Sequence, residues 1–356
     1  MNRPLLPPSV VETDLALHQL FERVVFSRYL NPLNSRDAQA DFAVGEPPRY
    51  HYQPADWADD ELRRLDTLRP PEDHPFGPLL RRAIEGTRLF ILALRDRTPA
   101  RFDALARHSG WYPDAETLHA ARNEPRDHER SAQTVTAYEM ADALQAAIRE
   151  RGLVGWRVEL DPVMAARVLV DGAHRAVRVT PHAAFRASDV PRLIAHEIDV
   201  HVRRAENGYQ QPLRLFATGL PESLETEEGL ALYAEERAGV ISPGTAWRQG
   251  IVVQAVHWGR SLGFRALHER ITSIGGGGLA WTITERLKRG LADPEAPGVY
   301  AKDVVYYTGL RRVRAYLAAG RPLEHLFVGK VSIDDPVEAW IDAGLVTVQP
   351  TPGVLG

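Results

Sequence analysis

The stretch Leu193-Ile194-Ala195-His196-Glu197-Ile198-Asp199-Val200-His201-Val202-Arg203-Arg204 constrains this chain more than any other. Two histidines flank an acid, with apolar residues before and between them. The pattern is H-E-x-x-x-H, one residue longer than the H-E-x-x-H of zinc-binding helices. In a regular α-helix, at about 100° per residue, side chains four apart lie roughly 40° apart around the axis and can meet one ion. Side chains five apart lie about 140° apart and cannot. If His196 and His201 share an ion, the helix must carry a local irregularity between Glu197 and His201. A one-residue bulge of the π type supplies it, and such bulges gather at functional sites. The alternative is an ordinary amphipathic helix bearing two unrelated histidines.

A third ligand bears on that choice. A catalytic zinc site takes three protein ligands and keeps a position for water, and two histidines with a glutamate form one of the standard sets. About thirty residues further on lies Glu225-Thr226-Glu227-Glu228-Gly229-Leu230-Ala231-Leu232-Tyr233-Ala234-Glu235-Glu236, a helical stretch. Peptidases of the gluzincin type place their ligand glutamate on such a second helix, and Glu228 fits that role. Glu227 is then available to orient a histidine from behind. Paired glutamates are also common on solvated helix faces. Gly229-Leu230-Ala231 argues for close packing instead, because small and apolar residues follow the pair directly.

HEIDVH followed by EEGLA resembles the microtubule-associated tyrosine carboxypeptidases and their bacterial relatives. Members carry an HEIGTH-like segment, then (Q/E)EGLA, then K-D-x-x-Y, and Lys302-Asp303-Val304-Val305-Tyr306 is similar to the third. Asn31-Pro32-Leu33-Asn34, Asn207-Gly208 and Arg289-Gly290 share the likeness, which runs from about Asn31 to about Ala315. The resemblance implies zinc (Zn2+) held by His196, His201 and Glu228, with Glu197 as the catalytic acid and base. The chain departs from it at Asp199 and Val200, where members have glycine and threonine. That leaves the ligands intact and opens the question of substrate preference. The dipeptidyl peptidase III family also joins H-E-x-x-x-H to a later EE-x-x-A, so the motif pair does not choose between carboxypeptidase and dipeptidyl peptidase.

The rest of the chain bounds the setting. It has 356 residues, 44% hydrophobic and 25% charged, which is globular composition for one large or two modest domains. With no cysteine, disulfides and thiolate metal sites are excluded, and a cytoplasmic location is the expectation. The first residues, Met1 to Pro8, lack an apolar core, so no signal peptide is expected. No run reaches the roughly 18 apolar residues of a membrane span. A formal net charge of −4 offers no bulk attraction to nucleic acid. The expected partner is the C-terminus of a peptide or protein, and the oligomeric state is open.

Periodicity predicts helices over Val10–Leu30, Trp57–Leu68, Leu79–Asp96, Thr98–His108, Tyr112–Ala121 and Thr136–Arg151, with an extended loop over Asn31–Pro54 and a charged break at Asn123–Glu129. Tyr50-His51-Tyr52 reads as a short strand or packed arm, with His51 a structural contact. Alternation then predicts three strands, Trp156–Leu160, Ala166–Val170 and Ala176–Thr180, split by the Asp171-Gly172 turn. Ser188 reads as the cap of the histidine helix, Arg203 and Arg204 as surface charge near its end, and Asn207–Pro212 as a loop able to reach the cleft. Helices follow over Glu222–Glu236, Trp247–Gly259, Phe264–Ile271, Leu279–Lys288, Lys302–Ala319 and Pro336–Ala343, with Gly275–Gly278 a flexible connection and a short strand or tail last.

The expected fold is α+β and mainly helical. A small twisted sheet backs the metal helix in a zincin-like half, residues 151–356, behind a helical lobe, residues 1–150, the two forming one integrated unit. The expected activity is zinc-dependent peptide hydrolysis, as a carboxypeptidase that removes a C-terminal aromatic or acidic residue. Tyr306 is the candidate donor to the reacting carbonyl, although a core tyrosine reads equally well. Arg289 and Lys302 are candidates to hold the substrate carboxylate, against a surface role for each. A dipeptidase or aminopeptidase of the same motif, or a non-catalytic protein that keeps zinc for structure, remain the alternatives.

Overall fold

The computed structural model describes residues 5–127, 132–162 and 166–355. Part of the expected leaderless start (residues 1–4) and of the charged break (residues 128 and 129) lies outside them. The protein is α+β and mainly helical.

Local chemistry sets many of the N-terminal elements. Thr98 caps the helix Pro99–His108 by accepting from the Arg101 amide, and Pro99 fills its first position, where no amide is needed. Thr136 and Glu139 form a reciprocal capping box at the start of the helix Ala137–Glu150. Gly152, with φ of 63°, follows that helix as the sequence predicts. Two expectations fail here. The first long helix is two, Pro8–Arg23 and Phe26–Leu30, because the β-branched pair Val24-Val25 leaves the helical region, Val24 at φ −113° and ψ 107°. The segment expected as loop contains the helix Ser35–Ala43, whose alanines and first-turn Asp37 favour helix once the proline-rich flanks are passed. Tyr50–Tyr52 is a packed arm without strand pairing. Asn34 holds it by accepting from the His51 amide (2.8 Å) and donating to the Arg49 carbonyl (2.8 Å), while the Tyr52 hydroxyl donates to the Leu291 carbonyl at 3.0 Å.

The three expected strands form. β1 (Val135–Thr136) pairs antiparallel with β5 (Ala184–Phe185) in a small separate sheet. β2 (Arg157–Leu160), β3 (Val168–Asp171) and β4 (Ala176–Val179) make a second sheet of order β2-β4-β3, parallel between β2 and β4 and antiparallel between β3 and β4. Val177 and Val179 are fully buried on one face of the central strand and pack with Ile198 and Val202 of the histidine helix and with Met140 and Leu144. Each such burial contributes about 1.5–3 kcal/mol. The sheet is therefore the backing against which the histidine helix is set.

The other cores draw on both ends of the chain. One joins Leu94, Phe102 and Trp111 to Ile251, Leu287 and Val304. A second joins Leu17, Phe76 and Leu80 to Phe216, Val331 and Trp340. Helices over Thr245–Gly259, Phe264–Gly275, Gly277–Lys288, Val305–Ala318 and Val337–Asp342 complete the C-terminal half. The four glycines do not form a flexible connection. Gly275 ends one helix, Gly277 and Gly278 begin the next, and Gly276 at φ 81° is the single joint. The chain ends in a one-turn 3-10 segment, Gly353–Leu355, with no strand among the described residues there. No helix among the described residues is long and apolar enough to cross a membrane.

The glutamate helix, Leu224–Arg237, lies directly on Val305–Ala318. The contact is made by Gly229 and Gly309. A Cβ on Gly229 would lie 2.3 Å from the Gly309 carbonyl carbon, and one on Gly309 would lie 2.1 Å from the Glu225 oxygen. Just before the second helix, Asp303 accepts from two Arg286 nitrogens, at 2.6 and 2.9 Å, and so ties the 277–288 helix to this pair. Burial works against the Asp303 charge, but Arg286 and Arg289 hold its carboxyl well below the usual carboxylate range.

Gly229→Ala is expected to destabilise the fold by about 1–3 kcal/mol, the usual cost of overpacking, and to lower the melting temperature. An unchanged melting temperature would show that the helices separate without cost. The lowered pKa of Asp303 carries a pH signature. Its contribution to stability is fully present above about pH 3.9, the value for an unfolded aspartate, and is lost as pH falls toward the folded value below. Asp303→Asn is therefore expected to be less stable at neutral pH yet to lose stability less steeply below about pH 4. Parallel acid-unfolding curves for the two proteins would contradict this.

Candidate metal centre

The histidine segment departs from α geometry further than a single bulge. Asp189–Leu193 starts as α-helix, Ile194–Val202 is π-helical over nine residues, and Arg203–Tyr209 returns to α. The Arg203 amide, for example, donates to the Ile198 carbonyl five residues back. With bonds of that span each turn takes in one more residue, so positions five apart come nearly into line. His196 and His201 accordingly face one another, with ring centroids 4.8 Å apart. Ser188 does not cap this helix. Its backbone is already helical, and the Asp189 carboxylate takes the Arg186 amide instead at 3.1 Å.

Glu228 completes the set. One donor atom from each of His196, His201 and Glu228 lies within 4.8 Å of the other two. The two Nε2 atoms approach Glu228 Oε2 at 3.6 and 3.7 Å, beyond hydrogen-bond length. Glu228 Oε2 is buried and has no hydrogen-bond partner among the described residues. An unsatisfied carboxylate oxygen facing two imidazole nitrogens is a donor set for a cation, and its composition suits zinc.

Each imidazole is fixed from behind. His201 Nδ1 lies 2.8 Å from Glu227 Oε1, and His196 Nδ1 lies 2.8 Å from Glu235 Oε1. These partners direct the Nδ1–H backward and leave Nε2 forward, as histidine ligands require. Glu227 is held in turn by Arg204 and by Lys330 Nζ at 3.3 Å, and Glu235 by Arg192 at 3.3 Å. Arg204 is not surface charge. It is fully buried, and its remaining nitrogens reach the carbonyls of Leu326 (2.9 Å) and Val331 (2.7 Å). Arg203 is half-buried and donates to the Arg151 carbonyl at 3.2 Å.

The charges follow the geometry. Burial disfavours a charged His196, but the facing carboxylate of Glu228, the hydrogen bond to Glu235 and the charge of Glu197 outweigh it and push the group up to about 10. Burial also opposes the Glu228 charge, yet Lys302 and the two histidines hold its carboxyl well below the usual range. The cluster is one that draws positive charge inward. Glu197 is buried beside His196 on the π segment.

The remaining sequence candidates fall in two places. Lys302 and Tyr306 lie against Glu228: Lys302 Nζ donates to Glu228 Oε1 at 3.1 Å and lies 5.1 Å from the centre of the Tyr306 ring. The Lys302 ammonium thus serves Glu228. Burial first, then the charges of Glu228 and Asp303, keep the Tyr306 hydroxyl protonated far above its ordinary range. Arg289 sits apart, over the Tyr300 ring at 5.1 Å, with Asn31 at 3.4 Å and Asp303 at 3.6 Å. Its Nε is buried without a hydrogen-bond partner among the described residues.

Asn207 does not reach a cleft. It is helical, and its side chain donates to the carbonyls of Phe327 (2.7 Å) and Pro350 (3.1 Å). Asp199 is buried against Arg151, and Val200 packs with Leu230 and Ala231 of the glutamate helix. Glu235, Arg192 and Lys330 escaped the sequence reading. Glu235 stands two turns beyond Glu228 on the same helix face, a signal that was available. Lys330 has none, since about a hundred residues separate it from Glu227.

The chain is similar to known proteins over most of its middle and C-terminal part. A family model described as microtubule-associated tyrosine carboxypeptidase matches residues 113–347. Mouse microtubule-associated tyrosine carboxypeptidase 1 is 24% identical over 216 residues, 57% of this chain and 44% of the relative. The human protein of that name is 29% identical over 154 residues, 40% of this chain and 31% of the relative. Human putative tyrosine carboxypeptidase MATCAP2 is 28% identical over 153 residues, 40% of this chain and 28% of the relative. The aligned part thus spans less than half the length of these curated relatives. With two thirds of its length matched by the family model, the chain belongs to the microtubule-associated tyrosine carboxypeptidase family.

Proposed function

We propose that the protein is a zinc-dependent carboxypeptidase acting on the C-terminus of a peptide or protein. The observation that carries this reading is the pairing of the unsatisfied Glu228 Oε2 with two imidazole Nε2 atoms beside a buried glutamate, in a chain of this family. His196, His201 and Glu228 would hold the ion, which when bound supplies Lewis acidity and an acidified water at neutral pH.

The protein's own groups do the rest. Glu197 takes the proton from the attacking water and delivers it to the amine nitrogen as the amide bond breaks, so the carbonyl carbon gains hydroxyl and the leaving residue gains hydrogen. Tyr306, kept protonated, donates to the carbonyl oxygen as negative charge grows there. Glu227 and Glu235 hold the imidazoles in one tautomer, and Lys302 neutralises the Glu228 oxygen that faces away from the histidines. Arg289 is the group for the substrate carboxylate. Its described polar contacts are 3.4 and 3.6 Å long, so a carboxylate offering two oxygens displaces little.

Purified protein is expected to carry near-stoichiometric zinc and to lose it on His196→Ala. Glu197→Gln is expected to keep the metal while activity falls by about 10²–10⁴-fold. N-acetylated peptides should still release their terminal residue. Sparing of acetylated substrates while free N-termini are trimmed would move the assignment to an aminopeptidase or dipeptidyl peptidase. Full function in Glu197→Gln would leave only a structural metal. Glu235→Gln is expected to weaken zinc binding by about 10–100-fold, read by competition with a chelator. Wild-type affinity there would remove Glu235 from the account.

A further inference from the structure

A cavity of about 190 Å³ lies behind His201, on the side of Glu227. Its lining includes none of His196, Glu197, His201 and Glu228, so it is separate from the metal and from the reacting bond. Phe21, Phe26, Phe90, Leu220 and Leu224 form the apolar wall. Phe21 and Leu220 belong with the core around Leu17 and Phe76, Phe90 and Leu224 with the core around Phe102 and Ile251, and Phe26 with both. The cavity is thus an unfilled seam between two cores, the kind of place where small-molecule sites form. Its three rings are partly exposed, which gives it a mouth at the surface.

One part of the wall is charged. Lys330 lines the cavity, its stem against Gly219, where a Cβ would come within 3.1 Å of Lys330 Cδ. The ammonium has three donors but a single polar contact among the described residues, Glu227 Oε1 at 3.3 Å. That oxygen already lies 2.8 Å from His201 Nδ1, while Arg204 holds Oε2. Glu227 therefore carries one negative charge between two positive ones, and the less engaged of the two is the one in the lining. Thr87 and Thr218, also in the lining, have buried hydroxyls with no hydrogen-bond partner among the described residues. Turning either toward a ligand breaks no existing bond. An apolar slot with spare ammonium donors and two idle hydroxyls suits a carboxylate on an apolar body. A cavity of ~150 Å³ takes a benzene ring, so about 190 Å³ leaves room for roughly six carbons and a carboxylate.

We propose that this cavity is an effector site for a small apolar monocarboxylate, the size of a short-chain fatty acid, and that Lys330, Glu227 and His201 couple its occupancy to the metal. The site stands on the cavity itself, and the coupling rests on the zinc reading above. Once the Lys330 ammonium turns to the ligand, Glu227 Oε1 is left to His201 Nδ1 alone. A carboxylate that accepts more strongly makes the ring a better donor to the ion. A dication at Nε2 also favours an anion nearby. Both effects have the same sign, so ligand and zinc strengthen each other, by one factor in either direction. Phe21, Phe26, Thr87 and Phe90 all precede the 113–347 span matched by the family model, so half of this site comes from a part of the chain outside that match.

The test uses the full chain, zinc-loaded and chelator-treated, with hexanoate, hexanamide and acetate as probes and calorimetry as the readout. Hexanoate is expected to bind both forms. Hexanamide, with the same body and no charge, should bind about tenfold more weakly, and acetate, with no body, should give no measurable binding. Lys330→Met is expected to bring hexanoate down to the level of hexanamide while hexanamide holds. Leu224→Trp, which fills the cavity from the glutamate helix, should weaken both at least about tenfold. Phe26→Trp should do the same from another wall, so poor folding of one variant does not decide the matter. Zinc affinity, read by competition with a chelator, is expected to rise about fivefold with saturating hexanoate, but neither with acetate nor in Lys330→Met.

Equal binding of hexanoate and hexanamide, or no binding at millimolar hexanoate, overturns the site. Hexanoate binding that needs zinc and ignores Lys330→Met and both tryptophan variants puts the carboxylate on the metal instead, and overturns it too. If hexanoate binds through Lys330 but zinc affinity does not move, the coupling falls and the site stands. A protein that takes up no zinc yet binds hexanoate through Lys330 refutes the metal reading alone.

Discussion

The winding of one helix governs this molecule. Two histidines five residues apart cannot address a common point from an α-helix, and the chain resolves this by running Ile194–Val202 as π-helix. That geometry is unfavourable in isolation, so it must be held by what surrounds it. The sheet face of Val177 and Val179 packs on Ile198 and Val202, and Arg151 grips Asp199 from the end of the 137–150 helix. On the other side Val200 packs against Leu230 and Ala231 of the glutamate helix. The segment is clamped between two bodies, and the imidazoles emerge in line as a consequence.

The second helix is placed with equal care. Gly229 and Gly309 let two backbones come closer than any side chain allows, which sets the height at which Glu228 meets the histidines. Around them lies a buried ionic lattice of Glu227 with Arg204 and Lys330, Glu235 with Arg192, and Glu228 with Lys302. Buried pairs of this kind contribute little net stability, because desolvation offsets most of their attraction. Their value here is positional. Each carboxylate is fixed by a cation and in turn fixes an imidazole, so the orientation of both rings is set by the protein itself.

What the sequence made legible was whatever local spacing decides. The demand for irregular winding followed from His196 and His201 alone. Thr98 and Thr136 announced their helices because a cap is a contact over three residues. The strands were legible from alternation. What escaped was set by distant partners. Arg204 looks like end-of-helix surface charge until Leu326 and Val331, more than a hundred residues away, supply carbonyls for it. Lys330 carries no local mark of its link to Glu227. The break at Val24-Val25 and the helix at Ser35–Ala43 were lost for a different reason, since short helices beside prolines give weak periodicity.

The central claim is that three side chains from two helices share one ion at a point fixed by the π winding. The most direct measurement is anomalous diffraction at the zinc edge from crystals of the zinc-loaded protein. The account predicts a single strong peak about 2.0–2.2 Å from His196 Nε2, His201 Nε2 and a Glu228 oxygen. A peak at some other group of side chains, or a histidine segment wound as regular α-helix with its two rings turned apart, would contradict it.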